Sequence, residues 1–422
     1  MNDESENSAA NVAPDPESPI QPPAYHQALL DYLQTEQIDL WNWFSSHKAR
    51  ADSAESVRLE LLKAAYRLDR GDAASVYQVA DSVAKKMGLA AVTLYQAQHS
   101  EGLNASLAWL PDEAHVVLHG PVLEVLSNTE FAALLAHEFA HHELYTINDG
   151  VCLVMEHVLS AMISDQSADA VHDRTWRSHR LYTELHCDRR AAEVTGSIED
   201  CVCALVKLET GLKEVSAEAY FAQAEEVLSN PTQQNKGSDG MTHPEVFIRA
   251  RALQLWRDDP DSDSVDVALK RFVEGPLRLQ ELGLLRQREM RQLTREFLRC
   301  FLSTEWLQTD LMLGHAKRFF KDFAWAETTV AAAAADHVKE QLAECDEHLR
   351  NYFCYILLDF VTYDADLEEA PLAAAFVFAE SAGLLDEFRM LAAAELKFGK
   401  RALQKVESDA VRILQEAASS FG

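Results

Sequence analysis

The chain has little positive charge. Its 422 residues carry 38 lysines and arginines against 68 aspartates and glutamates, a formal net charge of −30. Such a surface repels phosphate backbones and anionic headgroups, which argues against nucleic acid or an acidic membrane as a partner. Long apolar runs are scarce as well. The nearest candidate, Val151 to Ile163, is interrupted by Glu156 and His157, short of the ~18 uncharged apolar residues a membrane helix needs. No membrane span is expected. The opening Met1-Asn-Asp-Glu-Ser-Glu6 is acidic, where a signal peptide is basic and then apolar. Cysteine is sparse and unpatterned: seven residues, Cys152, Cys187, Cys201, Cys203, Cys300, Cys345 and Cys354. An odd, scattered set points to reduced thiols in a cytoplasm rather than a disulfide framework. Cys201-Val-Cys203 lacks the second pair that a zinc finger requires.

What is present is ordinary for a globular protein, with 48% hydrophobic and 25% charged residues and length for two or three domains. Residues 1–23 are rich in proline, serine and acids, too poor in apolar groups to offset the entropy of ordering, and should form a disordered tail. Tyr25 to Phe44 reads as a helix whose Trp41, Trp43 and Phe44 should pack in a core or between domains. Ser56 to Leu68 and Ala74 to Met87 have helical periodicity, separated by Gly71, with Gly88 ending the second. Ala91 to Gln96 reads as a strand. Asn104 to Leu110 and Ala114 to Leu118 alternate around Pro111-Asp112-Glu113 and predict a hairpin.

The chemistry lies in Leu134-Leu-Ala-His-Glu-Phe-Ala-His-His-Glu143. On a helix His137 and His141 share one face, close enough for both imidazoles to hold one metal, with Glu138 about 100° round. Two imidazoles and a third protein ligand leave Zn²⁺ an open position for water, whose pKa the metal lowers toward 7. Glu138 is then the general base. Ser127-x-x-Glu130 is a capping box that opens this helix. Phe131, Leu134, Leu135 and Phe139 form its buried stripe, while His142 and Glu143 should point elsewhere, His142 to the surface.

Downstream, Thr183-Glu-Leu-His-Cys-Asp188 sets Glu184 and Asp188 one helical turn apart, able to face the first helix together. Glu184 is the expected third zinc ligand. The segment before it, ending in His172, Arg174, Arg177 and Arg180, reads by default as a solvated helix face, with a lid or part of the cleft wall as alternatives. Asn230 to Gly240 has the composition of a mobile loop, a candidate gate or self-cleavage site. Thr242-His-Pro-Glu245 then reads as the capped start of a helix. A metzincin is ruled out, since its glycine would fall at Leu144 and its third histidine at Ile147.

Three motifs in this order resemble the HtpX and CAAX-prenyl-protease type of zinc metallopeptidases, which are gluzincins: His137-Glu138-Phe139-Ala140-His141, then Glu184 through Asp188, then Thr242-His243-Pro244 with Arg249. The resemblance covers roughly residues 75–255. It implies a zinc-dependent endopeptidase with one Zn²⁺ per chain; with no membrane span expected, the reading is a soluble form acting on extended or unfolded polypeptide. It also implies that Asp188 orients a ligand or a neighbouring cation, that His243 stabilises the oxyanion, that Arg249 fixes carboxylates near the metal, and that an edge strand beginning near Asn104-Ala105 holds the peptide. Many members are membrane-embedded, lipidated or exported, so the expected absence of a span is a departure.

The fold expected is mainly α with a small antiparallel or mixed sheet over residues 24–257, then an all-α domain over 265–422, divided at Asp258-Asp-Pro-Asp-Ser-Asp-Ser264. The C-terminal part offers no chemical constellation and suits scaffolding, a regulatory partner or homo-oligomer formation. Its stretch Asp359 to Leu396 resembles the helical modules of tellurite-resistance TerB type. Regulation or latency is expected of a free cytoplasmic protease. The alternative is a silent, zinc-stabilised binding protein that acts through its C-terminal helices.

Overall fold

The computed structural model describes residues 21–46, 54–99, 102–111, 113–164, 169–234, 236–260, 262–325, 328–396 and 399–421; most of the expected disordered tail lies outside them. The chain forms two compact units, one of Met1–Ala168 with Trp176–Gly275, the other of Asp169–Thr175 with Pro276–Gly422. It is mainly helical, with one mixed four-stranded sheet in the first unit and helices alone in the described residues of the second.

In the first unit, α1 (Ala24–Glu36), α2 (Ile38–Ser46) and α3 (Ala54–Ala64) precede β1 (Ala65–Arg67), α4 (Ala74–Lys86), β2 (Val92–Ala97), β3 (Asn104–Leu110) and β4 (Glu113–His119). The helix expected through Leu68 stops at Ala64, because Ala65 to Arg67 pair antiparallel with Ala97 to Tyr95 on β2. Backbone groups left open on that edge are satisfied by three residues that propensity alone would keep helical. Trp43 is also not core: it is 53% exposed.

The sheet order is β1-β2-β4-β3, with β2 and β4 parallel and the outer pairs antiparallel. β4 is buried along most of its length, as befits a central strand. β3 is an edge. Tyr77 and Val83 of α4, Leu94 of β2 and Val116 of β4 share one core with Phe131, Leu135 and Phe139 of the next long helix. Burying four or five such side chains stabilises the assembly by roughly 2 kcal/mol each.

After the short α5 (Val122–Val125), the helical run α6 covers Asn128–Ser164. Its start is the capping box as expected: the Ser127 N–H donates to Glu130 Oε2 at 2.7 Å and the Glu130 N–H to Ser127 Oγ at 3.3 Å. By length and apolarity the run qualifies as a candidate membrane span, against the expectation of none. Its backbone is broken, however, at Ile147 to Gly150, where Asn148, Asp149 and Gly150 take positive φ. Asn, Asp and Gly tolerate that region best.

There follow α7 (Ala170–Thr195), α8 (Ile198–Thr210), α9 (Ala217–Ser229), α10 (Pro231–Gln234), α11 (Val246–Asp258) and α12 (Asp263–Glu274). Cys201 and Val202 of α8 and Ala250 and Leu253 of α11 extend the same core. Leu181 and Leu185 of α7 join Val265, Leu269 and Val273 of α12 in a second cluster. The sheet therefore carries α6 on its back, and α6, α7 and α11 bring their inner faces to one point.

The second unit holds α13 (Leu284–Phe301), α14 (Asp310–Phe319), α15 (Thr328–Ala343), α16 (Glu347–Val361), α17 (Ala370–Ser381), α18 (Leu385–Glu395), α19 (Lys400–Ser408) and α20 (Ala410–Phe421). Its core is apolar and aromatic, with Phe297, Phe353, Phe360 and Phe388 fully buried.

Candidate metal centre

The capping box and the apolar stripe fix the rotation of α6, and with it the direction of His137 and His141. Both rings lie on one face with centroids 5.0 Å apart. Glu184 reaches them from α7: its Oε2 is 3.2 Å from His137 Nε2 and its Oε1 3.6 Å from His141 Nε2. One donor atom from each of the three residues lies within 4.8 Å of the others. This is the triangle of donors that a divalent ion would fill.

Two observations test the fit. Glu184 Oε2 is buried without a hydrogen-bond partner, a costly state for a carboxylate oxygen unless a cation takes it up. His137 Nδ1 lies 3.0 Å from Asp188 Oδ1, so Asp188 holds the tautomer that leaves the Nε2 lone pair facing the triangle. Burial disfavours a charged ring at His137, but the hydrogen bond to Asp188 and the negative charges of Asp188 and Glu184 outweigh it and raise its pKa to about 10. The site thus selects a cation, proton or metal. At His141 burial prevails, the pKa falls to about 4, and the ring is a neutral donor. Glu184 itself stays ionised: burial opposes this, but His137, His141 and Arg249 hold its pKa below the usual carboxylate range. The donor set of two imidazoles and a carboxylate suits zinc with a position left open.

Behind the triangle, Arg249 of α11 grips Asp188 with both ends of its fork, Nε to Oδ2 at 2.6 Å and Nη2 to Oδ1 at 2.7 Å. It also lies 3.7 Å from Glu184. Glu138 is 5% exposed, and burial lifts its pKa to about 7 against the pull of His137, Arg249 and the Leu107 peptide. His243, from the loop before α11, brings Nε2 to 3.5 Å from Glu184 Oε1, while its Nδ1 lies 2.9 Å from Thr242 Oγ1. All seven residues expected at the site are therefore brought together.

They line a cavity of about 280 Å³ that also exposes Asn104 to Leu107 of the edge strand β3, Tyr145 and Arg180. Arg180 lies in the segment offered as a solvated face or a cleft wall, and it lines the cleft; Tyr145 was not expected. A signal existed, since Tyr145 follows His141 by four residues and Arg180 precedes Glu184 by four, one helical turn in each case.

His142 departs from expectation. It is 4% exposed, and its Nε2 lies 2.8 Å from the Leu110 carbonyl, because the hairpin packs over that side of α6 and its strand end needs a donor. Glu143 does point elsewhere, forming a two-pronged pair with Arg190. The end of the expected mobile loop, Ser238 to Gly240, is held by hydrogen bonds. Arg177 donates to the Gly240 carbonyl at 2.7 Å and to that of Ser238, and Glu245 accepts from Ser238 Oγ at 2.6 Å and the Asp239 N–H at 2.7 Å. Glu245, at the N-cap of α11, makes no capping bond to the helix. A Cβ at Gly240 would lie 1.9 Å from the His243 carbonyl oxygen, so only glycine lets this turn close beside the site. On α7, His26 of α1 reaches Thr183 Oγ1 at 2.9 Å and packs its ring 4.5 Å from that of His179. Burial keeps both rings neutral.

With this geometry in place, the similarity to known proteins can be read on it. Residues 71–257 match the model of peptidase family M48. This stretch, less than half of the chain, matches as an M48 metallopeptidase domain, and its His-His-Glu cluster is suited to hold a divalent metal ion. The chain is also similar to the plastoglobule-localized metallopeptidase 48, chloroplastic, of Arabidopsis thaliana, 26% identical over 189 residues. That alignment covers 41% of this chain and 54% of the relative, so the chain spans about half the length of the curated relative it matches. No solved structure matches. The M48 domain ends before α12, and the C-terminal helices lie outside it.

Proposed function

We propose that the chain is a zinc endopeptidase of the HtpX and CAAX-prenyl-protease branch, with one zinc held by His137, His141 and Glu184, that hydrolyses extended polypeptide. The observation that carries this reading is the buried His-His-Glu triangle with Glu138 beside it in a cleft bordered by an open sheet edge. Zinc held there would supply an acidified water and a Lewis acid for the scissile carbonyl. Glu138 takes the proton of the attacking water and passes it to the leaving amine, and a pKa near 7 suits it to both transfers. A Thr242 hydroxyl donating to His243 Nδ1 leaves the ring proton on Nε2, where it donates to the carbonyl oxygen as charge develops; losing such a donor costs about 3 kcal/mol of transition-state stabilisation. Asp188 fixes the His137 ring and Arg249 neutralises Asp188, so both act through the ligands. The peptide adds to β3 by main-chain hydrogen bonds along Asn104 to Leu107, which confines the substrate to extended chain.

The test is direct. Purified protein should contain about one zinc and cleave an unfolded protein, and a chelator should stop it. Glu138→Ala should keep the metal and lose cleavage, and His137→Ala should lose both. Cleavage that persists in Glu138→Ala overturns the mechanism.

A further inference from the structure

Two guanidinium groups line the cleft, and they are used differently. Arg249 is buried and spent on Asp188. Arg180, on the turn of α7 before Glu184, has no hydrogen bond or ion pair with any described residue, and its Nε is buried without an acceptor. Its guanidinium carbon stands 5.0 Å from the centre of the Trp176 ring, which holds the side chain in place. Glu156 feels the charge of Arg180 but lies beyond ion-pair distance, its Oε2 instead 3.2 Å from His179 Nδ1. In a chain with 68 acidic side chains, an unpaired arginine in a cleft is unexpected, since buried guanidinium N–H groups are costly without acceptors.

The charge of the cleft points the same way. Among the groups lining the cleft, Glu138, Glu184 and Asp188 carry three negative charges when ionised, and a divalent ion held there would add two positive charges to that of Arg249. With such an ion in place, Arg180 would leave the lining one positive charge in excess, which suits an anion.

We propose that Arg180 is a specificity-determining residue that binds a carboxylate of the polypeptide lying in the cleft. Its planar fork fits a carboxylate with two parallel hydrogen bonds, strengthened by the partly dry surroundings. The carboxylate comes from an acidic side chain near the scissile bond or from the end of the substrate chain. The inference rests on the peptidase reading above.

The experiment uses zinc-loaded full-length protein and peptides identical except for Glu or Gln at one position, scanned along the sequence, each with a free or an amidated C-terminus. One placement of the carboxylate should lower KM by on the order of tenfold with little change in kcat. A gain that follows the Glu scan identifies a side chain; one that follows the free terminus identifies a chain end. The ratio should collapse toward one in Arg180→Gln, return in part in Arg180→Lys, and reverse in Arg180→Glu toward peptides carrying Lys at that place. Zinc content and melting temperature check that each variant is folded, and if Arg180→Gln is not, the Lys and Glu variants carry the comparison. Ratios near one in the parent protein, or a ratio unchanged in the variants, overturn the proposal. If no peptide is cleaved at all, the peptidase reading fails. The same peptides, labelled for fluorescence anisotropy with zinc-loaded Glu138→Ala protein, then read Arg180 alone: a carboxylate preference lost in Glu138→Ala/Arg180→Gln supports it, and no preference sinks it.

Discussion

The two units spend their interiors differently. Fourteen of the eighteen buried polar or charged side chains among the described residues belong to the first unit, and they include His137, Glu138, Glu184, Asp188 and Arg249 around one cavity. The second unit buries Thr175, Thr294, His315 and Asp364 in an interior otherwise filled with Phe, Leu and Ala. Burying charge destabilises a fold unless every group finds a partner. The first unit accepts that cost where it holds chemistry. The second buries far fewer such groups among its described residues, and its interior is mostly apolar packing. A region's interior thus tells function from scaffold before any ligand is seen.

Single substitutions should separate the two interiors. Glu138→Gln should lower the rate of cleavage by about 10²–10⁴-fold while leaving the melting temperature equal or higher, because it removes a buried acid; a rate within a few-fold of the parent in a zinc-loaded preparation would sink the assignment. Next in size is Asp188→Ala, which strands Arg249 with its fork unpaired. It should destabilise the first unit by about 3–5 kcal/mol and weaken zinc binding by about 10–100-fold, measured by denaturant melts and metal competition. Phe353→Ala should cost the second unit a similar 3–5 kcal/mol or so through the cavity it leaves, yet zinc content per folded chain should not change. A loss of zinc there would mean the two interiors are not separable in function. Removing the metal by chelation should lower the melting transition of the first unit only, since an ion bound solely by the native state stabilises that state. Smallest of all, Ser127→Ala should remove about 1 kcal/mol through the cap of α6, read as a shift in the same transition.

Local signals were legible in the sequence because their causes are local. The capping box at Ser127 and Glu130, the i,i+4 spacing of His137 and His141, and the alternation of the β3–β4 hairpin each involve residues whose geometry is set within one or two turns of chain. Long-range satisfaction was not legible. β1 exists because β2 has an open edge some thirty residues on. The loop before His243 is held by Arg177 from another helix, although its own composition reads as mobile. His142 is buried because a strand end needs a donor, not because of anything in its neighbours along the helix.

From the order of residues alone came the kind of chemistry: paired imidazoles, an adjacent carboxylate and a second acidic pair have a periodicity that helical geometry converts into a shared face. The fold decided the rest. It made Glu184 meet those imidazoles, gave Asp188 to Arg249 and left Arg180 with no carboxylate among the described residues, because which charges neutralise one another depends on distances between segments that lie far apart in the chain.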